Sequence, residues 1–424
     1  VLGYIAGIVL LVLLGYIIYL YVSYHRIPDN QELTVETISE EEKAGDQLTT
    51  GQKYSALTYN VGFGAYTPDF SFFMGGGKSS WAKSKESVKE TIKGAGELVA
   101  SRNPDFALLQ EVDLNSTRSY HVDEYSVLKE TIPAYDNVFA QNYDSAFLFY
   151  PFTQPHGKSR SGLALFSKYP VTDSLRRSFP VSTSFSKFFD LDRCYSISRV
   201  PVDNGRELVV FELHMSAYGN SDAIREGQIN MLAEDMAKEF SNRGIPSVAV
   251  YSNANGEFSE DREKAIEKLM NQEIKVIFSV DMFNEGVDIP ALDMVMFLRP
   301  TESPIVFQQQ LGRGLRTYKG KEYLNVLDFI GNYQKAGLAP LILSGTKVFD
   351  EKRACEYNEL EYPDNCMVDF DMHLIDLFWE LDKKSLSIKQ RIVQEYYRVK
   401  ELLENRVPTR MELFTYMEDS VYQY

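Results

Sequence analysis

MAKEFSNRGIPSVAVYSNANGEF, residues 236–258, is the stretch on which the architecture turns. It closes an amphipathic helix expected over Asp222–Phe240, breaks at Arg243–Gly244, and runs into SVAVYS, a short apolar run that reads as a strand. Upstream, strand candidates are joined by turns, such as Asn204–Gly205 ahead of RELVVFELHMS. Downstream, a helix over Ser259–Asn271, strands KVIFSV and MVMFLR, a helix over Ile305–Leu315 and a strand LNVLDF alternate. Alternation of that kind implies a parallel sheet with helices on its faces. The strand at 247–252 could serve either sheet. The expectation is that it pairs within the downstream parallel sheet, in contact with residues 276–280, and does not complete the sheet of the upstream half; pairing with residues 207–213 alone would overturn this.

The 424 residues leave room for two or three domains, and a hydrophobic content of 44% is ample for cores. A net charge of −16 argues against broad, sequence-blind adhesion to nucleic acid or anionic lipid, though not against a local basic groove. The three cysteines, Cys194, Cys355 and Cys366, form no CxxC pair and no cluster at zinc spacing. Val1–Val22 carries no charge and has the length of a bilayer-spanning helix, with tyrosines suited to the lipid–water interface. It is read as an uncleaved single-pass anchor; a signal peptide is the rival, but no A-x-A-like site follows. The chain opens on Val, so the charges that would set orientation are expected to precede it. Residues 23–53, polar and acidic, read as a solvated linker.

Between residues 54 and 216 three short motifs recur in a fixed order. They are TYN at 58–60, LLQEVD at 108–113 and FELHMSA at 211–217, with SGLALFSKYPV between the last two. Together they resemble the endonuclease/exonuclease/phosphatase superfamily, whose fold is deoxyribonuclease-I-like. The resemblance implies a phosphoester substrate and a Mg2+ cofactor, with Glu111 as metal ligand, Asn60 orienting the site and His214 contacting the scissile phosphate. A hard cation suits such chemistry because it neutralises phosphate charge and activates water. Taken singly, a strand-end carboxylate or a lone histidine is usually only a solvated or core group. The matched set carries the reading. The family also has a later Asp-x-Asn pair and an Asp-His general base. Here Asn253 and Asn255 stand near the first, and nothing supplies the second, since His373 is the only later histidine. General acid–base help is worth roughly 10²–10⁴-fold, so impaired catalysis is expected.

GGGKSS at 75–80 imitates a phosphate-binding loop, but Phe72 stands where that motif needs glycine. It reads as a glycine-rich surface loop.

Farther on, FNEGVDIP at 283–290 and QQLGRGLR at 309–316 resemble motifs V and VI of superfamily-2 helicases, with VLDFIGNY at 326–333 following as in bacterial members. The resemblance implies a second RecA-like domain and a partner nucleic acid. Gly286 would let backbone pass close to nucleotide, Asp288 would contact ribose or motif VI, and Gln309 would add a polar contact. Arg313 and Arg316, three apart on one helix face, would stabilise the γ-phosphate charge of ATP, with Arg316 as the finger. The ATP-binding loop and acidic motif of a first RecA-like domain do not lie upstream. ATP is thus implied, but autonomous ATPase activity is not expected.

The fold class expected is mixed α/β. It comprises a membrane helix (1–22), the linker (23–53), a truncated deoxyribonuclease-I-like sandwich (54–240), a RecA-like parallel-sheet domain (244–345) and a mainly helical tail (346–424). The last includes an apolar stripe of Ile392, Tyr396, Val399 and Leu403. Three functions compete. One is a membrane-anchored, impaired phosphodiesterase or phosphatase. The second is a nucleic-acid-binding helicase fragment. The third is a non-functional recombined chimera with hydrolase ancestry on both halves.

Overall fold

The structure is a computed structural model. It describes residues 2–38, 44–188, 192–216, 222–280, 282–283, 289–298, 314–328, 367, 392–393, 396–397, 399–400, 403 and 406–416. These fall into two units, Val1–Ala249 with Asn255–Ser259, and Val250–Ala254 with Glu260–Tyr424.

The first unit opens with α1 (Leu2–Ser23), a helix of 22 residues with no charged side chain and little burial. It is long and apolar enough to cross a bilayer. The stretch after it, expected as a solvated linker, is instead built into the fold. β1 (Gln31–Glu32) pairs with β7 (Asp173–Ser178), and β2 (Val35–Glu36) pairs with β5 (Asp136–Asp144). Leu48 is buried beside Val138 and Val200.

Two sheets follow from the strand pairings. The first runs β2-β5-β6-β4-β3, with β3 at Ala56–Asn60, β4 at Phe106–Asp113 and β6 at Arg160–Ser167. The second runs β1-β7-β8-β9, with β8 at Cys194–Pro201 and β9 at Glu207–Leu213. β3 and β4 are parallel, as a helical crossover requires, and α2 (Lys85–Arg102) makes that crossover. Ser84 caps α2 by accepting from the Ser87 N–H, and Asn103 ends it at a positive φ ahead of Pro104. The helical spacing of Val88, Ile92 and Val99 packs against Ala107, Leu109 and Phe166 of the first sheet. The alternate residues Phe106 and Leu165 pack with Val200 of the second sheet, so β4 and β6 are covered on both faces.

β5 and β7 escape a reading by apolar alternation because they carry the polar contacts of the core. Arg176 of β7 is fully buried. Its Nε donates to Gln141 O at 2.7 Å, its Nη1 to Pro28 O at 2.9 Å and its Nη2 to Asp192 O at 3.0 Å. Three carbonyls thus compensate a guanidinium whose burial pulls its pKa down. The same interaction ties the segment after α1 to both sheets. Cys194 is a buried free thiol, pushed up to about 12 by burial.

The helix expected to close the nuclease-like half is present as α4 (Asp222–Asn242). The strand after it, β10 (Ser247–Val250), is not part of the β1-β7-β8-β9 sheet. It forms a separate two-stranded sheet with β11 (Val276–Ser279). The unit boundary falls within β10. Its Val250 carbonyl accepts from the Val280 N–H at 3.2 Å inside the second unit. The second unit adds α5 (Arg262–Met270), capped by Asp261, and the parallel pair β12 (Met294–Phe297) and β13 (Asn325–Asp328). Of the tail, α6 (Arg410–Tyr416) begins with a reciprocal cap. The Thr409 N–H donates to Glu412 Oε2, and Thr409 Oγ1 accepts from the Glu412 N–H. Val399 of the apolar stripe is buried.

Replacing Arg176 with Ala removes a fully buried guanidinium and the donor to three carbonyls, and should cost about 3 kcal/mol or more. Urea unfolding followed by near-ultraviolet circular dichroism should show a lower midpoint, and Arg176→Lys should not restore it. An unchanged midpoint in Arg176→Ala would show that the clamp is dispensable.

Candidate active site

The site is built at the ends of two strands of the first unit and at an irregularity in a third. Asn60 is the last residue of β3 and pairs in register with Gln110. His214 directly follows β9. Glu111 lies inside β4, where the register with β6 slips between Leu109 and Val112. That slip is a β-bulge, and Glu111 sits in it at φ +59, a conformation uncommon for a residue with a Cβ. The bulge gives neighbouring side chains separate tasks. Gln110 turns into the core, where its Nε2 donates to Glu212 Oε1 at 3.2 Å. Glu111 turns out, to receive Asn60 Nδ2 at 3.0 Å on its Oε1. His214 Nε2 lies 3.7 Å from the same oxygen. The structure therefore brings together the three residues that the sequence assigned to one site.

Asn60 is held in turn. Its Oδ1 accepts from the Gly62 N–H at 3.0 Å, and the following Val61 N–H donates to Gln110 O. Gly62 has φ +56, and a Cβ there would lie 2.3 Å from the Tyr66 ring. Only glycine makes that turn without displacing the ring.

Behind the bulge lies a buried charged group that sequence reading did not single out. Arg118 Nε and Nη2 donate to the two oxygens of Asp113 at 3.1 and 2.8 Å, and Ser119 Oγ adds a third bond at 2.8 Å. The guanidinium stacks 4.0 Å over the Phe63 ring. Burial disfavours its charge, but the Asp113 carboxylate more than offsets this and raises its pKa. Glu124 accepts from the Asp113 N–H, and burial together with the Asp113 charge pushes its carboxyl well up. Glu212 is likewise raised by burial. The only sequence signal for these pairs is a charged residue inside an apolar strand, as in LLQEVD and FELHM.

Burial is also the main influence on His214. Burial and then the Arg193 charge lower the imidazole, Glu111 opposes them, and the net value is about 4. At neutral pH the ring is neutral, so its approach to Glu111 is a dipole against a charge and not an ion pair. Its Nδ1 is buried with no hydrogen-bond partner among the described residues.

Among the described residues Glu111 is the carboxylate that meets both Asn60 and His214, and both lie against its Oε1. Among the described residues no group of three or more His, Cys, Asp and Glu side chains could hold a metal ion. Mg2+ is usually held through one or two carboxylates, with water and substrate phosphate completing its shell, so Glu111 with the Asn60 amide beside it would be its protein ligands here. The loop at 75–80 is no phosphate cradle either. A Cβ on Gly77 would meet Ser71 within 2.4 Å, and Ser80 is buried against Gln154.

In the second unit Arg316 is exposed and lies in a bend, not in the helix expected for it. Lys321 Nζ fixes that bend by donating to Arg316 O at 3.2 Å, to Pro290 O at 3.1 Å and to Gly314 O. Gly286, Asp288, Gln309 and Arg313 lie outside the described residues, as do Cys355 and Cys366.

Comparison with known proteins agrees with a chain of two parts. Residues 57–268 match the Endonuclease/Exonuclease/phosphatase family model, and residues 220–318 match the Helicase conserved C-terminal domain model. The two matches share residues 220–268, the region of α4, β10 and α5. A putative ATP-dependent helicase IRC3 of Saccharomyces cerevisiae is 34% identical over 98 residues, 23% of this chain and 14% of that protein. A 51.5 kDa protein of a Lactococcus phage is 32% identical over 106 residues, 25% of this chain and 23% of that protein. The chain thus spans less than a quarter of either relative. Among solved structures, an endonuclease/exonuclease/phosphatase from Beutenbergia cavernae is 16% identical with a TM-score of 0.31. That match covers 42% of this chain and 43% of the other.

The sign of the His214 shift sets a test. A histidine whose folded pKa lies below its unfolded value near 6.5 stabilises the fold fully above pH 6.5. That contribution is lost as pH falls towards 4. The ring resonances of His214 should titrate near pH 4, and Glu111→Gln, which removes the opposing charge, should move the midpoint lower. A midpoint at 6.5 in both proteins would mean that the ring is not buried as described.

Proposed function

Because this chain belongs, through residues 57–268, to the endonuclease/exonuclease/phosphatase family, we propose that its first unit is a membrane-anchored phosphoester-hydrolase scaffold with an incomplete active site, joined to the C-terminal half of a helicase. The observation that carries this reading is the pairing of β10. Asn253 and Asn255 follow this strand at the place where the family resemblance puts its Asp-x-Asn pair. β10 stands outside the sheet that ends in His214.

What remains can bind but lacks a base. The Asn60 amide and the neutral His214 ring offer hydrogen bonds to a phosphate oxygen, and Glu111 holds Asn60 in place. Water activation needs a positioned general base or a metal. Glu111, tied to its neighbours, is a poor substitute for either. Anchorage is supported by the seating of α1. Leu20 is buried with Leu148 and Phe188, and Tyr16 Oη donates to Phe147 O at 3.1 Å. A leader removed after export would not be expected to share a core with the domain it leaves.

For the second unit we propose a helicase remnant whose Arg313 and Arg316 no longer face an ATP site within this chain. A nucleic-acid-binding role for this unit is the second reading, favoured by the helicase-model match over residues 220–318. Binding to single- or double-stranded probes that weakens steeply with salt would support it. Absent or salt-insensitive binding would count against it.

With Mg2+ present, hydrolysis of DNA and of small phosphoesters by the purified chain should not exceed the buffer blank, and Glu111→Ala should change nothing. Robust turnover that disappears in Glu111→Ala would show the site to be functional.

A further inference from the structure

We propose that the first unit carries an aromatic collar around the end of α1 that sits in the interfacial layer of a lipid bilayer and holds the domain at a set depth. The proposal rests on α1 being a retained membrane anchor. Its own evidence is a loop, Ala146–Thr153, whose sequence AFLFYPFT contains no charge. The loop is bound to the helix wall. Tyr16 Oη donates to Phe147 O, the Phe147 N–H donates to Tyr19 Oη at 3.0 Å, and the Phe149 ring meets the Tyr16 ring edge-on at 5.0 Å.

Tyr16 lies two turns before the helix ends at Ser23, so Phe149 is held about 10 Å back along the helix axis, at 1.5 Å per residue. A loop anchored there cannot stand clear of a membrane that α1 crosses. Its outward side chains are apolar nonetheless: Phe149 is 50% exposed, Tyr150 63% and Phe152 84%. Contiguous apolar surface of this kind is unfavourable in water and marks a contact. Phe185, in the short 3-10 turn Phe185–Phe188, is half exposed as well, with its ring 5.1 Å from that of Phe188.

Past the end of α1 the described residues carry charge. The Lys187 ammonium lies 4.8 Å from the Tyr24 ring, and Arg26 pairs with Asp192 at 2.9 Å. Along the helix axis the order is apolar side chains, then aromatic rings, then cations. Hydrocarbon, interface and phosphate headgroups follow one another in the same order. The occupant that fits is the bilayer surface itself.

Phe152→Trp tests the depth directly, because an outward ring can take the larger indole without disturbing the core. The full-length variant and its parent would be reconstituted in phosphatidylcholine vesicles containing brominated acyl chains, after a carbonate wash. We expect the emission gained by the variant to be quenched, more by bromines near the headgroup than by bromines near the chain end. Retention through the wash with unquenched added emission overturns the collar and leaves the anchor standing. Release by carbonate overturns both.

Discussion

The bulge in β4 is the constraint from which the candidate site follows. A regular strand sends Gln110 and Glu111 to opposite faces at a fixed spacing. The extra residue between Leu109 and Val112 breaks that spacing and holds Glu111 at a positive φ. Backbone of this kind costs on the order of 1–3 kcal/mol and persists only where its surroundings determine it. Here they do. Gln110 is bonded to Glu212 across the core, Val61 bonds to the Gln110 carbonyl, and Asp113, two residues on, is held by Arg118 and Ser119. The strain is retained around one half-buried carboxylate, and Asn60 and His214 reach that carboxylate from the ends of their own strands.

The same geometry supports the proposal that the site is partial. A strand-end residue contributes to a site only if its strand lies in the right sheet. β3, β4 and β9 do, and each delivers one residue. β10 has the length and composition of another such strand, but its partner is β11. Strand pairing is a choice of backbone hydrogen-bond partners, and β11 is the next strand after β10, reached through a connection that contains α5. The region where the two family models overlap, residues 220–268, includes this strand. A helix followed by a strand suits either architecture, so the join causes no break in local structure.

The elements best legible in sequence were those with one clean period. The apolar spacing of α2, the buried run of β4 and the Asn204–Gly205 turn between β8 and β9 all form as their patterns dictate. β5 and β7 were hidden because their buried positions are taken by Asp136, Asn137 and Arg176, whose polar groups are matched by partners distant in sequence. The acidic stretch after α1 looked solvated for a related reason. Its short strands β1 and β2 are recognised by edges of sheets and by Arg176, not by any apolar period of their own.

The identities of Asn60, Glu111 and His214, the apolar length of α1 and the presence of two families in one chain follow from the sequence alone. They depend on residue type and order, which need no folding to be read. The bulge that turns Glu111 outward, the pairing of β10 away from β9 and the seating of Phe147 on Tyr16 were decided only by the tertiary structure. Each is a contact between groups far apart in the chain, and its free energy exists only once both partners are in place.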